Sequence, residues 1–444
     1  MHIAHRYFSV EPTTRMLFGS RRLDRRRRPA TQDFIVPLSL VSSPSTPATP
    51  PLQALLDRID PLSAEIGEGE SRRERERDHP FAGVQRFRES GLAGLRIPVA
   101  LGGPGGSVRD LFGLLLTLAS KDPQVAHSLR SHYGFGEKLT LQRDPADLAT
   151  HVPRFLAGKL YAAGSTERGT PRPGILNTRL TPDGDRFRLN GVKYYGTGSL
   201  YADYLYISAN DADGQRVVAT IPATRAGVSV VDDWDGMGQR LTASGTITLD
   251  NVEVLPSEVA PGASNNLIGR YASSFRQLHL AAVAAGITRA IRDDAVAYVR
   301  THARPIAHSH AETAGGDFFT QKVVGEIAAI ARALPLLVLD AADALDRSYR
   351  ALSTDAADAE ERVLQSTLAV AQTQVMVAQL GPRAGELIFD VGGGSAAGRV
   401  HNLDRHWRNI RTLISHNPTA YKAKATGDYL LNGETAMLVE GRFL

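Results

Sequence analysis

The spacing of apolar residues changes twice along this chain, and that double change limits the fold more than any bulk property. From Leu52 to about Asp147 apolar residues recur at helical intervals, broken by turns at Asp78-His79-Pro80 and Leu101–Gly106. Val108–Ser120 and Gln124–Leu141 read as buried helices, the second following Lys121-Asp122-Pro123, a suitable helix start. The charged run Ser71–Asp78 reads as a solvated helix face. Between about His151 and Pro261 short alternating runs take over. Thr178–Leu189, bent at Pro182-Asp183-Gly184, predicts a hairpin, and further strands fit Tyr204–Ala209, Arg216–Pro222, Gly227–Val231 and Gly245–Val254. Strands of this length and spacing predict a small antiparallel barrel or sandwich. Helices return after Leu267, over Tyr271–His302, Asp317–Leu352 and Ala357–Phe389. With the terminal segment they predict a four-helix bundle, and Ala281, Ala282, Ala284 and Ala285 suit close helix crossing. The expected class is α+β: a basic tail (1–48), an N-terminal helical domain (49–150), a central antiparallel β-barrel (151–262) and a C-terminal four-helix bundle (263–444).

The chain of 444 residues is long enough for several domains with cores of their own. No apolar run reaches the roughly 20 residues of a membrane span. The absence of cysteine excludes disulfides, thiolate metal sites and a cysteine nucleophile, and fits a cytoplasmic enzyme. Charge is uneven: residues 1–45 carry eight Arg and three acids, a net of +5 against +4 overall, leaving the remainder near −1. The Ser/Pro/Arg-rich tail therefore reads as disordered. Arg25–Arg28 could meet nucleic acid or a membrane surface, and an Arg- and Ser-rich, acid-poor tail has the composition of a transit peptide. A solvated tail is the simpler reading, so no nucleic-acid or membrane partner is assigned.

Several segments carry chemistry. On the helix starting at Gln124, residues Val125, Leu129, His132 and Tyr133 share an apolar face, which by spacing alone makes His132 a core histidine. Ala163-Gly-Ser-Thr-Glu167 and Tyr195-Gly-Thr-Gly-Ser199 are polar strand ends, and Asp390–Ser395 is a glycine run suited to a helix end. The Gly-Gly-Pro-Gly-Gly run at 102–106 has no phosphate-loop Lys and reads as a turn. Between Leu403 and Gly433 an Arg-rich turn (Arg405, Arg408, Arg411) leads into Ser415-His416-Asn417-Pro418. His406, among those arginines, suits a solvated or interface role, and His401 gives no stronger signal. The pairs His308/His310 and His2/His5 lack a convincing carboxylate arrangement, so no metal is assigned.

The pattern HWRN…R…HNP…YK…GDYLLNG resembles the flavin-dependent monooxygenase branch of the acyl-CoA dehydrogenase superfamily, which includes dibenzothiophene monooxygenases and sulfur-acquisition oxidoreductases linked to dimethyl sulfone. The likeness runs from about Leu52 to Gly433 and includes GLAGLRIPVALGGPGGS (91–107), SHYGFGEKL (131–139), KYYGTGSLYADYL (193–205) and VRTHARP (299–305). In many superfamily members the loop after the Arg-rich turn holds a Glu that removes the substrate α-proton, and here that carboxylate is absent. The resemblance implies a two-component monooxygenase. It would take reduced FMN from a separate flavin reductase and, with O2, oxygenate a small apolar organosulfur compound through a C4a-hydroperoxyflavin. It further implies that Ser165, Thr166, Tyr195, Thr197 and Ser199 meet the flavin ring. Arg304, Gly393 and Gly394 would hold its phosphate, often across a subunit interface of a homotetramer. His132 and His416 are expected to stabilise and protonate the oxygenated flavin, with Tyr133 and Asn417 positioning it. Phe112, Tyr133, Tyr195 and Trp234 are expected to line the substrate pocket. The rival reading is an FAD-dependent acyl-CoA dehydrogenase with a base from Glu326 or Glu386.

Overall fold

The computed structural model describes residues 50–440 except 173, 263 and 264, so the basic tail, with His2 and His5, lies outside it. The N-terminal part is helical: α1 (Leu52–Leu56), α2 (Ile59–Gly67), α3 (Glu70–Glu76) and α4 (Phe81–Glu89) precede α5 (Val108–Ala119). Then come α6 (Pro123–Ser128), α7 (Arg130–Gln142) and α8 (Pro145–Leu156). Local chemistry sets these starts. Ser107 caps α5 in a reciprocal box with Asp110, while Asp122 and Asp144 cap α6 and α8, each followed by a proline in the first turn. The single helix expected over Gln124–Leu141 is interrupted at Leu129. The loop after the third strand packs onto that break. Gly198 sits there at φ 84°, and a Cβ on it would come within 2.6 Å of the Ser128 carbonyl.

Eight strands follow among the described residues: β1 (Tyr161–Gly164), β2 (Arg179–Asp183), β3 (Arg186–Lys193), β4 (Tyr204–Asn210), β5 (Arg216–Pro222), β6 (Val228–Val231), β7 (Thr246–Val254) and β8 (Val259–Pro261). The hairpin β2–β3 forms as expected, turning at Gly184. The sheet, ordered β6-β7-β3-β2-β4-β5-β8, is nevertheless mixed rather than an antiparallel barrel. β1 lies parallel to β4, Tyr161 opposite Tyr204, and β2 meets β4 in parallel through Arg179 and Asn210. The four-residue β1 has no alternation to signal its partner, and it pairs across a long crossover. Alternation elsewhere is direct: Leu205, Ile207 and Ala209 of β4 point into the sheet's own apolar cluster.

The C-terminal part holds α9 (Leu267–Thr301), α10 (Phe318–Ser353) and α11 (Ala359–Leu387), then α12 (Gly393–Ala396), α13 (Asp404–Ile414), α14 (Thr419–Asn432) and α15 (Ala436–Val439). The helices α9, α10 and α11 pack on one another, and α5 lies against α9. The terminal segment forms two helices, α13 and α14, separated by the expected loop Ser415–Pro418, because Pro418 cannot continue a helix entering from α13. That interruption turns His416 outward from the bundle. No helix among the described residues is long and apolar enough to cross a membrane.

Two buried ionic groups fasten the layers. Lys193 of β3 and Glu167 after β1 pair at 2.6 Å with side chains 0% and 4% exposed. Glu167 also accepts from Asn177 N, Thr178 N and the Thr178 hydroxyl. Against burial, which opposes ionisation, Lys193 and these donors hold its carboxyl down at about 2. The second group joins α3 to α13: Arg405 to Glu70 at 2.9 Å, and Arg408 to the fully buried Glu74 at 2.6 Å. His406 is buried too, its Nε2 2.9 Å from Asp294, which excludes the solvated half of the expected solvated-or-interface role.

Glu167→Ala strands Lys193 and is expected to lower urea-unfolding stability by about 3–5 kcal/mol; a loss below about 1 kcal/mol contradicts the pairing. Because the folded pKa is depressed, the Glu167 contribution is present above the ordinary carboxyl value near 4.3 and is lost as pH falls through about 2.

Candidate functional site

A cleft of about 1030 Å³ opens between α7, the sheet, the 234–239 segment, α9 and the end of α13. Each wall contributes a different chemistry. From the sheet come Ser165, Thr166 and Thr197, whose Oγ lies 2.8 Å from Ser244 Oγ. Tyr195, held at φ 59°, and Trp234 form an aromatic lip with ring centroids 5.9 Å apart. Five predicted residues (Ser165, Thr166, Tyr195, Thr197 and His416) therefore meet in one cleft, together with Trp234 from the expected pocket lining.

His416 reaches the cleft from the α13–α14 loop. Its Nδ1 lies 3.1 Å from Asn417 Oδ1 and its Nε2 3.5 Å from Arg130 Nη1. A guanidinium only donates, so Nε2 carries the lone pair and Nδ1–H donates to Asn417. Burial of the ring's protein-facing side, reinforced by Arg130, pushes its pKa below the ordinary value. The imidazole is thus neutral near pH 7, a proton acceptor rather than the proton donor that sequence reasoning allowed.

Other expected residues lie elsewhere. His132 is fully buried, with Nε2 2.9 Å from the Ala93 carbonyl and its ring against Phe155 at 4.5 Å. Tyr133 donates to the Leu92 carbonyl at 2.9 Å. Both face the core, where burial takes His132 down to about 4 and Tyr133 well up, so neither meets the cleft. Ser199 is buried and bonded to the Ala243 carbonyl at 3.1 Å, and Phe112 packs edge-on against Phe275 in the helical core. Arg304, exposed after α9, and Gly393 and Gly394 in α12 are not part of the cleft in the single chain. Glu326 pairs with Lys322, Glu386 lies 3.7 Å from Arg383, and both are outside the cleft.

The structure adds residues that sequence reasoning missed. His127 lines the cleft with Nδ1 3.0 Å from Gln239 Oε1, while Gln239 Nε2 is buried without a partner among the described residues. That unmatched donor, the hydroxyls of Thr166 and Thr197, and the Trp234 face suit a flat heteroaromatic ring with carbonyl acceptors. Arg130, Lys138 and Arg276 also line the cleft. The charge of Arg130 was visible in sequence, but its direction depended on the unforeseen break at Leu129.

Behind the His416 loop, Lys422 of α14 is buried and donates to Gln374 Oε1. Burial, and then Arg130, lower its pKa to about 7. A second, more open cleft of about 800 Å³ lies near Asp235–Met237, Phe389 and Arg399, without the hydroxyl and aromatic residues expected at a flavin ring.

Residues 278–421 match the family described as acyl-CoA dehydrogenase, C-terminal domain. Over 388 residues the chain is 29% identical to a protein named probable FMNH2-dependent monooxygenase SfnC from Pseudomonas putida, covering 86% of this chain and 96% of that one. It is 30% identical over 390 residues to amino sugar nitrososynthase DnmZ from Streptomyces peucetius, covering 83% and 89% respectively. The FMN-bound crystal structure of TdsC, a dibenzothiophene monooxygenase from Paenibacillus sp. A11-2, superposes with a TM-score of 0.77 at 27% identity, covering 85% of this chain and 98% of that one.

His132→Ala is expected to reduce unfolding free energy by about 2–4 kcal/mol through cavity formation and a lost buried hydrogen bond. Its FMN affinity by fluorescence quenching should stay within about twofold; a selective loss of FMN binding would return His132 to the site. The lowered Lys422 pKa gives a second check. Its protonation opposes folding below about 7, and that cost is relieved as pH rises toward the ordinary lysine value. Stability should therefore gain a component between pH 7 and 9 that Lys422→Met removes, measured by urea unfolding at both pH values.

Proposed function

The chain belongs to the acyl-CoA dehydrogenase superfamily, in its flavin-dependent monooxygenase branch, and from that premise we propose that it is an oxygenase using reduced FMN delivered by a separate flavin reductase. The observation that carries the reading is the loop Ser415–Pro418, which offers the cleft a neutral imidazole where a dehydrogenase presents a carboxylate. The acids lining the cleft are Asp147, on α8, and Glu258, which Arg225 engages from both nitrogens. An acyl-CoA dehydrogenase reading lacks a placed base, since Glu326 and Glu386 lie outside the cleft.

Reduced FMN, when bound, activates molecular oxygen so that one oxygen atom passes to the substrate and the other leaves as water. The protein's part is positional and electrostatic. Thr166 and Thr197 would meet the ring's polar edge, with Gln239 Nε2 supplying a further donor. Tyr195 and Trp234 would cover one face and exclude water, which limits wasteful release of hydrogen peroxide. His416, oriented by Asn417, would accept a hydrogen bond and then a proton at Nε2, on the side where the substrate reacts. Arg304 with Gly393 and Gly394 would serve the flavin phosphate from a neighbouring subunit of a homotetramer, since the single chain does not bring them to its own cleft. The named relatives point to oxidation at sulfur, and the nitrososynthase name extends the range to nitrogen.

The test is turnover with reductase-supplied FMN and a small organosulfur substrate such as methanesulfinate, measuring oxygenated product against peroxide. Wild type should make product as the major outcome, and His416→Ala should lose at least about tenfold in product while peroxide rises. Unchanged coupling in His416→Ala sinks the proposed role. Bleaching of bound FAD by an acyl-CoA, with no reductase present, would favour the dehydrogenase instead.

A further inference from the structure

Two guanidinium groups in the cleft have no acid partner among the described residues. Arg276 of α9 and Arg130 of α7 both line it, and Arg130 Nε donates to the Arg276 carbonyl at 3.0 Å, tying the two together. Among the described residues, neither guanidinium has a carboxylate partner at ion-pair distance, and the Arg276 guanidinium makes no hydrogen bond. Lys138 lines the same wall, and Lys422 lies behind the His416 loop, paired only with an amide oxygen. Of the two acids in the cleft, Glu258 is held by Arg225, while Asp147 of α8 interacts with Lys138, against burial and the like charge of Asp144, leaving the two arginines without an acid.

Desolvated, uncompensated guanidinium groups are costly, and two beside each other are costlier. Burial and mutual repulsion lower the pKa of Arg130 to about 10, and burial lowers that of Arg276. The backbone also makes room for the arrangement. Gly134 of α7 faces the Arg276 stem, and a Cβ there would lie 2.9 Å from Arg276 Cγ, so the glycine clears the path by which Arg276 crosses toward the cleft. Paired guanidinium groups suit a planar or tetrahedral oxyanion through bidentate hydrogen bonds.

We propose that Arg130 and Arg276 form an oxyanion subsite for the substrate, so that this chain oxygenates a molecule carrying a sulfinate, sulfonate, carboxylate or phosphate group rather than a neutral apolar one. The inference rests on the monooxygenase reading for the word substrate, but its site stands on the charges alone. The same chemistry is present in the phosphate of FMN. Arg130 lies 3.5 Å from His416 Nε2, on the reacting side of the cleft, whereas the flavin phosphate is assigned to Arg304 and the α12 glycines. Oxyanion binding here also gives a reason for the neutral His416. A bound anion offsets the guanidinium pair while the imidazole stays free to accept a proton.

The experiment is calorimetric titration of the flavin-free, full-length protein with methanesulfinate, and separately with FMN and riboflavin, for wild type and Arg276→Gln. The proposal expects methanesulfinate to bind wild type and to bind Arg276→Gln at least about tenfold more weakly. The preference for FMN over riboflavin should be unchanged. Removing one of two unpaired cations should leave the melting temperature equal or higher, and Arg276→Met should behave alike. No methanesulfinate binding by wild type, equal binding by the variant, or a marked fall in melting temperature each overturns the subsite. A variant that loses the FMN preference while keeping methanesulfinate affinity reassigns the pair to the flavin phosphate and overturns the substrate role. If Arg276→Gln loses methanesulfinate but wild type oxygenates nothing with reduced FMN, the anion site holds and only the monooxygenase reading fails.

Discussion

Glu74 is the point on which the arrangement of the cleft depends. Its side chain is 0% exposed and is compensated by Arg408 from α13, Arg240 and the Asn402 amide. A carboxylate in that position is tolerable only while its partners remain in place, because removing one leaves a buried charge uncompensated. The consequence is directional. Arg408 and Arg405 together clamp α13 against α3, with Arg405 bridging Glu70 and Asp294. Burial opposes ionisation of Asp294, but the His406 contact and Arg405 keep its carboxyl well below the usual range. Once α13 is fixed at its N-terminal half, its exit is fixed too, and the loop that follows has one place to deliver His416. The Arg-rich segment therefore acts through position: its ion pairs do not touch the cleft, yet they determine which side chain enters it.

Much of the fold was legible because local rules agreed with the tertiary result. Lys121-Asp122-Pro123 announced the helix start at Pro123, and Leu205-Ile207-Ala209 alternated as a strand with one buried face should. The failures were non-local. Nothing within Tyr161–Gly164 tells that strand to run parallel to Tyr204–Ile207, more than forty residues on. The interruption at Leu129 likewise has no breaker in the helix sequence; the Gly198 turn packs onto Ser128 beside it.

The site shows the same division more sharply. Ser165, Thr166, Tyr195 and Thr197, which by themselves read only as polar strand ends, were pointed to by the family likeness, and they do line the cleft. For His132 the apolar spacing alone gave a core residue, which is where it lies; the family likeness pulled it toward the flavin. His127 has the cleft position instead, five residues earlier and on the other side of the helix break. Arg130 and Arg276 were invisible as a pair because they are 146 residues apart and carry no shared motif. Their meaning comes from what is missing around them, a carboxylate, and absence of a partner is a property of three-dimensional surroundings.

The central claim is that the cleft between α7, the sheet and the His416 loop receives a flavin ring. A crystal structure of the protein with FMN bound tests it most directly. The account predicts the isoalloxazine edge against Thr166 and Thr197, with Trp234 over the ring and His416 Nε2 facing its reactive side. A flavin ring seated instead in the open cleft beside Phe389 and Arg399, leaving Thr197 and His416 untouched, would contradict it.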